Sequence, residues 1–134
     1  MKILVIDDDL DVAEVVRRAL KEHSVMIEND STTGVARVTK AELDGQPFEL
    51  VLCEFNMSGM NGLDVRAAVQ AHREPPIFIL MSGYDDIVAI TSFEDDVLLK
   101  PLRSSELHDL IERTKASRAH AKTRRVRLIR VASC

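Results

Sequence analysis

Six residues of this 134-residue chain could do chemistry together: Asp7, Asp8, Asp9, Glu54, Ser82 and Lys100. Carboxylates brought close to one another stay ionised only beside a cation. A hard divalent ion such as Mg²⁺ takes oxygen ligands and keeps several waters. Lys100 adds one fixed positive charge, and Ser82 adds a hydroxyl donor. Such a set suits holding a small anionic oxygen group, such as a phosphoryl, next to a metal. Taken singly, each acid could merely cap a helix and face water. The case for a site rests on where the chain must bring them.

The elements that position them can be read from apolar spacing. Lys2–Ile6 has no polar alternation and reads as a buried parallel strand. Val12, Val15, Val16, Ala19 and Leu20 recur at helical spacing, predicting a helix over about 10–22 capped by Asp9 or a neighbour. Val25–Glu28 is a second strand. Val35, Ala36, Val38, Thr39 and Leu43 mark a second helix, stopped at Gly45-Gln46-Pro47. Phe48–Cys53 contains the central strand, and residues 54–61 read as a loop. A third helix follows over about 63–72. Ile77–Met81 is a fourth strand, and Ser82-Gly83 ends it. Ile87–Ile90 favours a short helix. Val97–Leu99 is a last strand closed by Lys100-Pro101, and Ser104 or Ser105 caps a final helix.

This β-α order, repeated five times, implies a parallel sheet with helices on both faces. In such sheets the ligand crevice lies outside the carboxyl ends of the strands. The three aspartates follow strand one, Glu54 strand three, Ser82 strand four and Lys100 strand five. Four strand ends thus converge on one crevice.

Length suits one domain with one core, built without disulfides. Cys53 lies in an apolar run and Cys134 is terminal, so a reducing, cytoplasmic setting is expected. No signal segment shows at the amino end, and no apolar run is long enough to span a bilayer. The net charge of -4 hides a split. Residues 113–134 hold eight Arg or Lys and no acid; the first 112 hold 22 acids against 10 cations. An acidic body of this kind repels nucleic acid. The four histidines are scattered, with no zinc spacing.

Four stretches, in order, carry a family resemblance: ILVIDDD at 3–9, FELVLCEFNMSGMNG at 48–62, IFILMSGYDD at 77–86 and LLKP at 98–101. Over about residues 1–112 the chain resembles the receiver domain of bacterial two-component response regulators. The resemblance implies a flavodoxin-like, doubly wound five-stranded sheet of order 2-1-3-4-5. It implies a receiver-like domain over 1–114 and a basic extension or linker over 115–134. Asp7 and Asp8 would hold Mg²⁺ with the backbone carbonyl of Asn56, Asp8 the more directly. Lys100 and Ser82 would contact the phosphoryl, and Pro101 would follow a cis peptide bond. Counting from Pro76 puts the Thr/Ser position on Met81; the Ser82-Gly83-Tyr84 stretch resembles a common variant and favours Ser82. A histidine kinase or an output protein would be the partner, with a homodimer as a further option. A signalling role is implied rather than an enzyme's.

The chain departs from that family in four places. Glu54 stands where the phosphoacceptor Asp belongs. Its extra methylene puts charge partway to where a phosphoryl would sit, and lets it swing toward Lys100. Misplacing an attacking oxygen by about 1 Å can cost about 10²-fold in rate. Phosphotransfer is therefore expected to be weak or absent, as in a pseudo-receiver or a phosphomimetic. The stretch from Ser82 to Lys100 is about one helical turn short. Val97 replaces an aromatic switch residue, and Ser58 a proline. The main alternatives are a working phosphoacceptor at Glu54, or a Mg²⁺-dependent phosphohydrolase on a similar sheet. The basic tail could extend the last helix, link to a partner, or bind an anionic surface. Val126, Leu128, Ile129 and Val131 could form a short strand or a self-associating segment. Nucleic-acid binding is not expected, because no aromatic residue lies among the cations.

Overall fold

A computed structural model describes residues 1–83 and 97–132, with residues 121–132 as backbone only. The elements run β1 (Lys2–Ile6), α1 (Leu10–Ala19), β2 (Ser24–Glu28), α2 (Ser31–Leu43), β3 (Leu50–Glu54), α3 (Gly62–Gln70), β4 (Ile77–Ser82), β5 (Val97–Leu99) and α4 (Ser104–Ala132). All four strand pairings are parallel, and the sheet order is β2-β1-β3-β4-β5. This is the doubly wound, flavodoxin-like arrangement expected.

Strand periodicity splits the core in two. Ile3, Val5, Leu50, Leu52, Ile79 and Met81 face one way and meet Ala13 and Val16 of α1 and Leu107, Leu110 and Ile111 of α4. Leu4, Ile6, Val51, Cys53, Phe78 and Leu80 face the other way and meet Val38 and Ala41 of α2 and Val65 and Val69 of α3. Both faces are covered, which is why β1, β3 and β4 read as unbroken apolar runs.

Element ends moved by a few residues. Helix α1 stops at Ala19 rather than near 22, because Leu20 leaves helical backbone angles (φ -109°, ψ 30°) and its carbonyl accepts from the His23 N–H at 2.9 Å in a turn. The chain can then turn into β2 at Ser24. Helix α3 spans Gly62–Gln70, two residues short of the expected end. Glu54 belongs to the end of β3, in register with Met81, rather than to the loop after it. Past Thr114, α4 continues as one helix to Ala132, so residues 126–131 are helical and not a strand. The short helix expected at 87–90, and Tyr84 and Cys134, lie outside the described residues. None of the described helices is long and apolar enough to cross a membrane.

Candidate functional site at the strand ends

The strand order places β1 and β3 side by side, with their crossovers leaving in opposite directions. The crevice at such a switch point opens at the carboxyl ends. Asp7 follows β1 there and Glu54 ends β3. Alternation carries both toward the α1/α4 side of the sheet, since Val5 and Leu52, two residues earlier, pack in that half of the core.

Asp7 is fully buried. Its N–H extends the ladder by donating to the Glu28 carbonyl at 3.0 Å, and its Oδ1 accepts from the Asp9 N–H at 2.9 Å. Asp9 serves as the cap of α1, accepting from the N–H groups of Asp11 and Val12. Asp8 is exposed. The aspartate run therefore divides into a buried carboxylate, an exposed one and a helix cap.

Glu54 is 6 % exposed. Its Oε1 accepts from the Asn56 N–H at 3.3 Å. Its Oε2 lies 2.6 Å from Lys100 Nζ, an ion pair whose angle falls short of a full hydrogen bond. Lys100 Nζ also donates to Asp7 Oδ2 at 3.2 Å. One ammonium thus bridges two buried carboxylates. Burial pushes the pKa of Glu54 up, and Lys100 only partly opposes it. Asp7 is likewise pushed up by burial, against the Asp9 N–H and Lys100. For Lys100, burial disfavours the charge, yet Glu54 and Asp7 outweigh it and hold the pKa above the ordinary value. The group as a whole holds one positive charge against two negative ones, with Asp8 outside.

Lys100 reaches this place because its N–H donates to the Ser82 carbonyl at 2.8 Å, docking the end of β5 on β4. The Lys100–Pro101 peptide is cis. Ser82 is fully buried at the end of β4, but its hydroxyl donates to the Gly83 carbonyl at 3.0 Å. Met81 is the residue in register with Glu54 and shares its side of the sheet. Asp7, Glu54 and Lys100 are thus brought into contact; the Ser82 hydroxyl is engaged elsewhere, and the Asn56 N–H donates to Glu54.

Two supporting residues escaped the sequence reading. Ser31, at the start of α2, donates to the Met60 carbonyl at 2.8 Å and lies 3.5 Å from Met57 Sδ. It ties the loop after Glu54 to a helix distant in sequence. Gly62 opens α3 so close to β3 that a Cβ would lie 2.8 Å from the Glu54 carbonyl oxygen and 2.9 Å from Phe55 Cα. Its N–H donates to the Phe55 carbonyl at 2.8 Å. Nothing local marks either role; a Gly or Ser near a helix start reads as an ordinary cap. Cys53 is buried beside the site, and burial pushes its thiol up to about 12, so it is inert.

Asp7, Asp8, Glu54 and the Asn56 carbonyl are hard oxygen donors, the chemistry Mg²⁺ prefers. Among the described residues, however, no three acidic, His or Cys side chains are grouped closely enough to form a ready metal cluster. The buried carboxylates are instead drawn onto Lys100.

The model of the response regulator receiver domain matches residues 3–112. The transcriptional regulatory protein AruR of Pseudomonas aeruginosa is 30% identical over 129 residues, covering 90% of this chain and 53% of AruR. The DNA-binding response regulator MtrA of Mycobacterium tuberculosis is 31% identical over 111 residues, covering 79% of this chain and 46% of MtrA. The chain thus spans about half the length of these curated relatives. Among solved structures, a receiver domain protein from Clostridium thermocellum superposes with a TM-score of 0.75 at 22% identity, covering 90% of this chain and 98% of that one. A structure of adenylate cyclase from Rhodopirellula baltica superposes with a TM-score of 0.81 at 19% identity, covering 95% and 96%. These two likenesses speak for the fold. With the family model spanning residues 3–112, the chain belongs to the response regulator receiver domain family.

Proposed function

We propose that this receiver domain signals by binding a protein partner and accepts phosphoryl groups weakly or not at all. Receiver domains act as signalling modules rather than as classical enzymes. The observation that carries the proposal is the 2.6 Å contact between Glu54 Oε2 and Lys100 Nζ. An incoming phosphoryl needs that ammonium free to meet its developing charge. Here Glu54 and Asp7 already neutralise it, and the longer Glu side chain occupies space where a phosphoryl on Asp would sit. A carboxylate held on Lys100 without any transfer resembles the charge pattern of an occupied site, which supports a fixed signalling state.

Mg²⁺ would be held by Asp7, Asp8 and the Asn56 carbonyl, and when bound it would neutralise the acidic cluster. It would have to share Asp7 with Lys100, so weak binding is expected. The partner is a protein of the two-component type, such as a histidine kinase or an output protein.

Incubating the chain with Mg²⁺ and a small phosphodonor, then measuring intact mass, tests the reading. No phosphoryl adduct is expected. A stable adduct on Glu54 would replace it with the working-acceptor reading.

A further inference from the structure

The loop at 55–61 presents a backbone group that holds Glu54, and a buried hydroxyl on another helix holds that loop. The Phe55 N–H donates to the Met81 carbonyl at 2.9 Å, and the Gly62 N–H to the Phe55 carbonyl at 2.8 Å, so the two ends of the loop meet. Ser58 and Gly59 form an exposed tip. Between tip and ends the loop is fastened twice. Met57 is buried and packs in the α2/α3 half of the core. The Met60 carbonyl accepts from Ser31 Oγ at 2.8 Å. Ser31 is 2% exposed, and its Oγ also lies 3.5 Å from Met57 Sδ. One hydroxyl thus touches both fastenings. Its own place is set by the start of α2. Asp30 caps that helix, and Gly34 lets it lie so close to β1 that a Cβ there would sit 2.5 Å from Ile6 Cδ1.

We infer that Ser31 is a positioning residue for Glu54, acting through the loop from the opposite side of the sheet. The Asn56 N–H reaches Glu54 Oε1 at 3.3 Å, while Lys100 Nζ lies 2.6 Å from Oε2. The carboxylate is therefore held at both oxygens, by the loop on one and by the ammonium on the other. The loop bond is long for an N–H···O contact, and Asn56 is exposed, so the bond depends on how firmly the loop is held. Asn56 directly precedes Met57, the buried residue that Ser31 touches. Releasing the Ser31 hydroxyl from Met60 would loosen the peptide that carries this N–H. Glu54 would then be held by Lys100 alone and could turn about its side-chain bonds. Helices α2 and α3 cover one face of the sheet, whereas Glu54 faces the α1/α4 side with Leu52 and Met81. The loop carries the constraint from one side to the other.

The inference deepens the proposed function and rests on its reading of Glu54 as a carboxylate held on Lys100. A purely structural Ser31 would do no more than satisfy the Met60 carbonyl. Its removal would then lower stability and leave the hold on Glu54 unchanged.

Two measurements on the full chain separate these roles. In ¹H–¹⁵N spectra, Glu54→Ala removes the acceptor and so reads how far the carboxylate displaces the Asn56 amide signal. Folded Ser31→Ala should lose most of that displacement, and Ser31→Thr, which keeps the hydroxyl, should retain it. Urea unfolding of Ser31→Ala, Lys100→Met and the two combined gives the second. Distant, independent changes multiply in the unfolding constant to within about 2-fold. Here the combined variant should be more stable than that product by at least ~5-fold, because Lys100 has less to lose once Glu54 is loosened. If Ser31→Ala does not fold, Ser31→Cys, with a weaker donor of similar size, carries both comparisons. An Asn56 signal unmoved by Glu54→Ala overturns the inference. So does one that keeps its displacement in Ser31→Ala, a Ser31→Thr chain that behaves as Ser31→Ala, or a combined variant that matches the product. A phosphoryl adduct on wild-type Glu54 would instead overturn the proposed function, and intact mass reads that separately.

Discussion

Replacing Lys100 with Met would leave Glu54 and Asp7 buried with no counter-charge. The side chains of Glu54 and Asp7 are 7% and 0% exposed, and that of Lys100 is 23% exposed. At 2.6 and 3.2 Å, with an effective dielectric constant between ~20 and ~80, Coulomb attraction is roughly 1.6–6 and 1.3–5 kcal/mol. Desolvation offsets much of this, and the partial exposure of Lys100 screens the pair. The net loss should therefore be about 2–3 kcal/mol near neutral pH, below or at the low end of the ~3–5 typical when one partner of a buried pair is removed.

The pH dependence has a definite sign. Burial already holds both carboxyls above their ordinary range; the Asp9 N–H and Lys100 oppose it at Asp7, and Lys100 and the Asn56 N–H at Glu54. Without Lys100 both rise further. A carboxyl whose folded pKa lies above its unfolded value binds more protons when folded, so stability falls as pH rises through the folded value. The deficit of Lys100→Met should be largest at neutral pH and above. It should shrink as pH falls through the raised values toward the ordinary carboxylate range. Urea unfolding followed by far-UV circular dichroism at about pH 8 and about pH 5 reads this directly. Adding Glu54→Gln to Lys100→Met should recover part of the loss. A deficit under ~0.5 kcal/mol, or one equal at both pH values, would refute the picture of a single ammonium bridging two buried carboxylates.

Glu54→Asp should acquire a phosphoryl adduct with Mg²⁺ and a small phosphodonor, by shortening the side chain and freeing Lys100; intact mass reads the gain. Gly62→Ala should cost about 1–3 kcal/mol in urea unfolding, because its methyl would press on the backbone of Glu54 and Phe55. Asp30 caps α2 through the Thr33 N–H and hydroxyl, and these bonds hold its carboxyl below the ordinary value. Its stabilisation should be full above the ordinary carboxylate pKa and lost as pH falls through the depressed one. The stability difference between wild type and Asp30→Ala, followed by thermal melts across that range, checks it.

The sequence by itself determined the strands, their parallel pairing and the crevice at their ends. Unbroken apolar runs such as ILVI and IFILM exist because both sheet faces are covered, and that need is written locally. It also placed Asp7, Glu54 and Lys100 at the carboxyl ends of β1, β3 and β5, on one edge of the sheet. What it did not contain is the pattern of contact among residues far apart in the chain. Only the tertiary structure decided that Lys100, 93 positions from Asp7, bridges Asp7 and Glu54 together. It separated three like aspartates into a buried carboxylate, an exposed one and a cap. It turned the Ser82 hydroxyl to Gly83, a choice set by strand parity and one rotamer rather than by residue type. The ends of α1 and α3 moved because a helix stops where packing and its last hydrogen bonds allow, and local spacing records neither.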